Sequence, residues 1–448
     1  MKDLRREHQQ QLAALAAQLE GNTDPISIQK KTASNLFRYD GTQEQQGRVI
    51  DLSAFNKCLY LDQEAETLEV QGLATYEDIV SYTVPNDFLP TVAPGFKQIT
   101  IAGAIVGVAI ESTCYRYGFV HDGLLEADVL LADGTIVTCS PDNQYADLFY
   151  GLGNSYGTLG YILRAKIRVV PVTPYVALHT ERFNDTKSLL DAMEAATHNP
   201  EVEYIESATY TKDELYLTIG KQVREAPRLL NIYGLTIFYK EISRPGDLYL
   251  RTEDYVFRYD PEWFWGLPEG PLYSLFRLLA PKNLRNSGFY KRQYAAAAKR
   301  AAAKGVSPLK DDQEHLIQDW QVPWPDAKAL FDFALSTVDI LGKPWLITPI
   351  VSTGKATSYP IKPDTLYFNL GCYTFARKQA GKEPYYNTKV MDAFCFARGG
   401  IKMLYSSTFI SEEEFDRLYA GDARAALKQK YDPKSLLPTL YEKVARAA

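Results

Sequence analysis

The chain has 448 residues, 46% hydrophobic and 23% charged, an ordinary globular balance with room for two or three domains. Its net charge of −6 excludes the basic footprint of a nucleic-acid binder. Five cysteines (Cys58, Cys114, Cys139, Cys372 and Cys395) are scattered and never form C-x-x-C, and no H-E-x-x-H occurs. The pattern argues against a disulfide frame or a zinc site and for a reducing, cytoplasmic setting.

The first twenty residues are too polar for a signal peptide or a membrane span. Leu12, Leu15, Ala16 and Leu19 recur at helical spacing and predict a short amphipathic helix packed on the body of the protein. Ile26 starts a short strand that runs into Gln29-Lys30-Lys31-Thr32-Ala33-Ser34-Asn35. Small and hydroxyl residues beside two lysines offer N–H groups and cations to a phosphate pair; the plainer reading is an exposed basic turn. Short strands are predicted at 59–62 and 67–71. Thr75-Tyr76-Glu77-Asp78 opens a helix that Pro85 stops.

The stretch 94–118, PGFKQITIAGAIVGVAIESTCYRYG, is mostly apolar and punctuated by Gly95, Gly103, Gly107 and Gly118. Without a Cβ, backbone approaches a ligand closely, so these positions read as a main-chain wall beside something flat and large. The plainer reading is a buried strand and turn. Residues 124–132 and 135–139 form a predicted hairpin about Asp133-Gly134. Residues 160–170 alternate, with Arg164, Lys166 and Arg168 expected to face water. Gly151-Leu152-Gly153-Asn154-Ser155-Tyr156-Gly157 imitates a dinucleotide fingerprint, but a helical segment precedes it and a strand follows, the reverse of the Rossmann order. The first 170 residues therefore read as α+β without long βαβ units.

ITIAGAIVGVAIEST, YRYGFVHDG, VLLADGTIVTCSP and DLFYGLGNSYGTLGYILRAKIRVVP together resemble the FAD-binding domain of the vanillyl-alcohol oxidase / para-cresol methylhydroxylase (PCMH) superfamily. HLIQDWQVP, DTLYFNLGCY, IKMLYSSTFISEEEFDRLYAG and LLPTLYEKV extend the likeness, from about 26 to 445, to the 24-dehydrocholesterol reductase (delta-24 sterol reductase) family and its soluble bacterial relatives. The resemblance implies an α+β fold: a PCMH-type, two-subdomain FAD-binding domain over 1–172, a cap with an antiparallel sheet over 173–395, and a C-terminal segment, 396–448, returning to the flavin side.

The resemblance puts the pyrophosphate loop on 29–35, with Lys30, Lys31, Thr32, Ala33, Ser34 and Asn35 as contacts. It puts the flavin wall on Pro94, Gly95, Thr100, Gly103, Ala104, Gly107, Ile110, Glu111, Ser112, Tyr117 and Gly118. Gly157, Thr158, Gly160 and Ile162 fall on the strand at the adenine-ribose side. Relatives that bond flavin through histidine have it where this chain has none; Cys114 is the nearby nucleophile, and dissociable FAD is expected. The first loop lacks the arginine-proline-glycine-tryptophan run of eukaryotic members. Gly399-Gly400-Ile401-Lys402 carries a lysine where those members have glutamine, in a setting similar to the H-W-G-K of sugar-alcohol and aldonolactone oxidases; there the lysine sits by flavin and substrate.

In the second half, PVTP at 171–174 marks the exit from the first domain. Residues 203–210 and 214–219 read as paired cap strands, with Glu206 either relaying a proton or simply exposed. RTEDYVFRYDPEWFW at 251–265 lines a substrate cavity or packs a core corner. Residues 278–310, rich in Lys, Arg and Ala, read as a solvated helix or loop, with a membrane-facing or lid segment as the sharper alternative. A helix follows Trp324-Pro325-Asp326, strands are predicted at 345–351 and 366–372, and Ser411 to Glu414 forms a capping box.

The implied activity is FAD-dependent hydride transfer to or from a small, apolar or aromatic organic substrate, with NADPH as an electron donor. The expected reaction is reduction of a sterol- or isoprenoid-like C=C bond. The alternatives are alcohol oxidation using Lys402, and flavin binding without turnover. Lys402, Glu111, Tyr405 and Glu206 are the expected catalytic groups, with Tyr373 a further proton donor; no metal and no stable membrane insertion are expected.

Overall fold

In the computed structural model, which describes residues 3–30, 47–264, 267, 270–304 and 310–445, alternating apolar positions build two large antiparallel sheets. Strands β1 (Ile26–Gln29) and β2 (Arg48–Asp51) pair in parallel as a small ribbon. The first sheet holds β3 (Cys58–Asp62), β4 (Thr67–Gln71), β5 (Phe88–Pro90), β6 (Leu124–Leu130), β7 (Ile136–Cys139) and β8 (Tyr161–Pro171). Its order is β3-β4-β8-β6-β7, with β5 on one end of β8. The β6–β7 hairpin turns at Gly134, whose φ of 90° a residue with a Cβ rarely adopts. The stretch 94–118 is not a strand. It holds two short helices, Ile101–Val106 and Cys114–Tyr117, the first capped by Thr100 accepting the Gly103 N–H. Thr75 and Asp78 close the expected capping box, and the helix they start, Tyr76–Thr83, gives way to a 3-10 turn holding Pro85.

The second sheet holds β9 (Tyr175–Phe183), β10 (Tyr204–Thr211), β11 (Glu214–Val223), β12 (Gly246–Arg251), β13 (Gln313–Pro323), β14 (Trp345–Val351), β15 (Leu366–Arg377) and β16 (Ile401–Lys402). Its order is β12-β9-β11-β10-β14-β15-β13-β16. Helices Thr186–Thr197, Ala327–Thr337 and Tyr386–Phe396 cover one face, packing Leu189, Met193, Phe331 and Met391 against Trp320, Phe368 and Leu370. The opposite face is left for a cavity. Downstream of β16, Phe415, Tyr419, Leu427, Leu440 and Val444 share one apolar core with residues of β4, β6 and β8. Ser411 accepts the Glu414 N–H, one half of the expected capping box. Among the described residues no helix is long and apolar enough to cross a membrane.

The N-terminal helix, Arg5–Leu19, buries Leu15 and Leu19 with Ile26, Ile50 and Leu130. It also buries His8 against Asp128 at 3.2 Å. This corrects the reading of β8. Arg164 does not face water: it is buried and donates to Asp128 at 2.7 Å, to Glu69 at 3.1 Å and to Glu126. Three carboxylates and a histidine on neighbouring elements make one charged pin through the sheet. Burial opposes ionisation of Asp128, but hydrogen bonds from His8 and Arg164 outweigh it and hold the carboxyl well below the usual range. A depressed carboxylate stabilises the fold above its unfolded pKa and loses that contribution as pH falls, so stability should drop steadily below about pH 4. Arg164→Met strands a buried carboxylate and should cost about 3–5 kcal/mol, read as a lower urea midpoint with an unchanged slope.

Candidate active site

One cavity of about 1410 Å³ runs between the 94–112 stretch, the free face of the second sheet and the 435–443 segment. Pockets for drug-sized ligands occupy roughly 300–1,000 Å³, so this one takes a longer guest. The wall residues named above from Pro94 to Ser112 all line it, as do Lys30, Gly157, Gly160 and Ile162. A Cβ added at Gly103 would touch Thr100 Oγ1 at 3.0 Å and nothing else nearby; at Gly95 the nearest atom is 3.5 Å away. Both glycines lie on the cavity lining, where no side chain of their own covers the main chain. Val108, between Gly107 and Ala109, has φ 58°, a strained backbone for a β-branched residue. Strain of this kind costs about 1–3 kcal/mol and persists where a site requires it.

Four expected contacts fall elsewhere. Tyr117 and Gly118 do not line the cavity; Gly118, at φ 75°, serves a turn in which a Cβ would meet Asp122 Oδ2 at 2.2 Å. Thr158 is buried and donates to the Ser155 carbonyl at 2.7 Å, a local turn bond. Lys402 is the largest correction. Its ammonium is fully buried, 2.6 Å from Asp392 and 3.1 Å from the Ser407 carbonyl, and Trp320 Nε1 donates to the same aspartate at 2.7 Å. In the register Lys402 pairs with Trp320, so both point to the helix-covered face of the sheet, while Asp319 and Met403 point into the cavity. Lys31, Thr32, Ala33, Ser34 and Asn35 lie outside the described residues.

Two polar constellations face the cavity. In the first, Arg258 is buried and donates to Glu206 Oε1 at 3.0 Å, to Glu206 Oε2 at 3.1 Å and to Glu111 Oε2 at 2.8 Å. Tyr259 donates to Glu206 at 2.7 Å, and the Ser112 N–H and hydroxyl both donate to Glu111 at 2.9 Å. Both expected carboxyl groups are thus gripped by one guanidinium, an arrangement that fixes their orientation. Glu206 is buried on β10, not an exposed strand residue.

In the second, Tyr405 and Tyr373 both donate to Asp319 Oδ2, the latter at 2.9 Å, and Asn369 donates to Oδ1 at 2.7 Å. The phenol rings stack 6.3 Å apart with hydroxyls 3.3 Å apart. Burial pushes the Asp319 carboxyl up from its usual range, against those hydrogen bonds, and pushes both phenols well above theirs. Gly371 sits opposite Asp319 across β13 and β15; a Cβ there would meet Oδ1 at 2.3 Å. Phe264 links the two constellations, stacked 4.8 Å from Tyr259 and 4.2 Å from Tyr373. Trp263 and Phe264 take successive φ of 46° and 56° to place it.

Sequence reasoning missed Asp319 and Asn369; Arg258 and Phe264 lie in the 251–265 segment expected to line a substrate cavity, and they do line it, but neither was singled out. The signal for Asp319 was a lone acid within the apolar alternation of HLIQDWQV. For Arg258 the signal was the aromatic-rich 251–265 segment as a whole, and its carboxylate partners are revealed only by the fold.

Lys30 and Lys443 line the same cavity, and Lys291 stands close enough to Lys30 to repel it. Burial and Lys443 lower the Lys30 pKa; burial and Lys30 bring Lys291 down to about 7. Neighbouring lysines at one end of the cavity offer positive charge to an anion. An open main-chain wall, a long cavity and a cluster of such cations fit FAD: the wall would hold its ring and the lysines its pyrophosphate. Cys114 is not on the cavity surface; its thiol is buried, its pKa raised by that burial, and its sulfur accepts the Glu111 N–H at 3.2 Å.

Residues 4–140 match the FAD binding domain family. The chain is 26% identical over 408 residues to the Delta(24)-sterol reductase of Homo sapiens, covering 87% of this chain and 76% of that protein. The Delta(24)-sterol reductase of Pisum sativum is 34% identical over 129 residues, 29% of this chain and 23% of that one. Cytokinin dehydrogenase 7 of Oryza sativa subsp. japonica is 28% identical over 162 residues, 36% and 26% respectively.

Gly103→Val should fill the wall and yield a folded, colourless protein, checked by the yellow absorbance and the melting temperature. FAD affinity should weaken as pH rises past about 7, since a cation that an anion stabilises contributes fully below its free-state pKa and is lost above its bound-state value. Fluorescence titration of Lys291→Met should show that dependence flattened.

Proposed function

We propose that this FAD-dependent oxidoreductase, homologous to the Delta(24)-sterol reductases over most of its length, reduces a carbon–carbon double bond in an apolar, sterol- or isoprenoid-like substrate. The observation that carries the reading is the Asp319–Tyr373–Tyr405 cluster in the same cavity as the glycine wall. FAD, held without a covalent bond and reduced by NADPH, would supply hydride chemistry at its ring nitrogen. Double-bond reduction also requires a proton at the neighbouring carbon, and the chain's own residues must deliver it.

Tyr405 and Tyr373 are suited to that step. Burial keeps both phenols protonated through the neutral range, and Asp319 fixes the direction of both hydroxyls. One phenol would turn its O–H from Asp319 to the substrate carbon and give up the proton, leaving a phenolate beside the second hydroxyl, 3.3 Å away; a proton taken up from solvent through the Asp319 carboxyl, which burial pushes toward its protonated form, would restore it. Arg258 bonds both Glu111 and Glu206, tying the wall to the second sheet and fixing the spacing between them. Phe264, Leu346, Ile347 and Met403 give the cavity an apolar lining that excludes water and accepts a hydrocarbon skeleton.

Anaerobic NADPH should bleach the bound flavin, and a Δ24-unsaturated sterol should restore the colour while gaining two hydrogens by mass. Tyr373→Phe/Tyr405→Phe together should slow product formation by about 10²–10⁴ with flavin reduction by the donor unchanged. A double variant with wild-type turnover rejects the proton-donor role; failure of any donor or substrate to change the flavin spectrum rejects turnover altogether.

A further inference from the structure

Helix Pro271–Leu279 is inside out. Its arginine, Arg277, is 3% exposed, ion-paired with Glu262, and donates to the carbonyls of Gly234 at 2.7 Å and Thr236 at 2.6 Å. Its leucines face outward: Leu272 is 85% exposed, Leu279 71%, Leu278 64% and Leu275 52%. Leu284 follows on the next turn and is also exposed. Leu235, 60% exposed, lies between the two residues that Arg277 binds. Among the described residues only one other large hydrophobic side chain, Val49, is exposed. A water-facing helix buries its apolar stripe and shows its charges; this one does the opposite, and contiguous exposed apolar surface marks a docking site.

The charge around it says what docks. Although the chain carries −6 overall, residues 270–310 hold nine lysines and arginines and no aspartate or glutamate. Lys282, Arg292, Lys299, Arg300 and Lys304 are exposed, most of them on helix Ser287–Ala302, which follows directly. Exposed leucines beside a helix whose charged side chains are all basic match an anionic lipid bilayer, where side chains enter the acyl boundary and cations meet phosphates. A second copy of this chain matches poorly, because a two-fold contact would press the same positive surface onto itself.

We infer that the 272–284 leucines and the basic helix behind them dock the enzyme peripherally on an anionic membrane surface, next to the mouth of its own cavity. The patch is fastened to the cavity wall. Ser287 donates to Asp260 Oδ1 at 2.6 Å, Tyr290 donates to the Pro261 carbonyl at 3.1 Å, and the Lys97 N–H of the glycine wall donates to the same Asp260 oxygen at 3.1 Å. Four residues on, Phe264 lines the cavity against Tyr373. The role given to docking, delivery of an apolar substrate from the bilayer, rests on the reductase reading above; the docking itself does not.

The test is sedimentation of the purified holoprotein with phosphatidylcholine–phosphatidylserine vesicles, with pure phosphatidylcholine vesicles as the second arm. Wild type should pellet with the mixed vesicles, weakly with the neutral ones, and less as salt rises. Leu275→Glu/Leu279→Glu changes only exposed side chains and should remain in the supernatant with its yellow absorbance intact. Lys299→Gln/Arg300→Gln should weaken partitioning to the mixed vesicles by about fivefold per charge and leave the neutral arm unchanged. Wild type that stays soluble with mixed vesicles overturns the inference. So does a leucine variant that binds as wild type, or a leucine-dependent dimer in analytical ultracentrifugation without vesicle binding. No arm reads turnover, so failure here is distinguishable from failure of the reductase assay.

Discussion

The pleat of the β13–β15 pair is the constraint on which the site depends. In an antiparallel ladder, partners across the pair share a face and neighbours along a strand do not. Asp319 pairs with Gly371 and Ile317 with Tyr373, which sets the carboxylate, both its β15 partners and the glycine that makes room for it on one side. Trp320 and Lys402 pair on the other, where Asp392 neutralises the ammonium beneath three covering helices. Sliding the register by one residue would bury the carboxylate in the apolar layer and expose the lysine to the cavity, exchanging the chemistry of the two faces.

Two buried arginines fasten the architecture around that pair. Arg164 joins β8 to carboxylates on β4 and β6, and through Asp128 to the N-terminal helix. Arg258 joins Glu111 of the glycine wall to Glu206 of the second sheet. Each guanidinium presents a rigid fork to two or more carboxylates, so each fixes geometry in a way a flexible lysine would not. Such pairs add little net stability over an apolar core, but removing one partner is costly. Their value here is positional: Arg258 ties together, at a fixed spacing, the two surfaces between which the cavity lies.

The distribution of charge follows the same division of labour. Carboxyl groups facing the cavity are paired and oriented, and at another part of it Lys30 stands near Lys443 and Lys291. On the outside, the excess of acid over the whole chain is suspended between residues 270 and 310, where every charge is positive and the leucines face outward. Local inversions of this kind stand out because each is unfavourable for an isolated chain in water.

Much of the fold was legible in order along the chain. Alternation located β7 and β8, an apolar run located β6, strand-like segments were placed at β10, β11 and β14, and the Thr75–Asp78 pair marked its helix start, because these depend on neighbours two to four residues away. The glycine stretch announced an open wall for a similar reason: absence of a Cβ is a local property. The sequence by itself determined these elements and the materials of the site, and its motifs' resemblance to a flavoprotein superfamily pointed to an FAD-type scaffold. Which materials meet was decided only in three dimensions. Asp319 reaches Tyr405 across 86 positions, and Arg258 reaches Glu111 across 147. Lys402, next to the cavity in sequence at Met403, was turned from it by one step of pleat. Parity of a strand and closure of a long loop belong to the assembled sheet, since each is set by partners that a linear reading does not bring together.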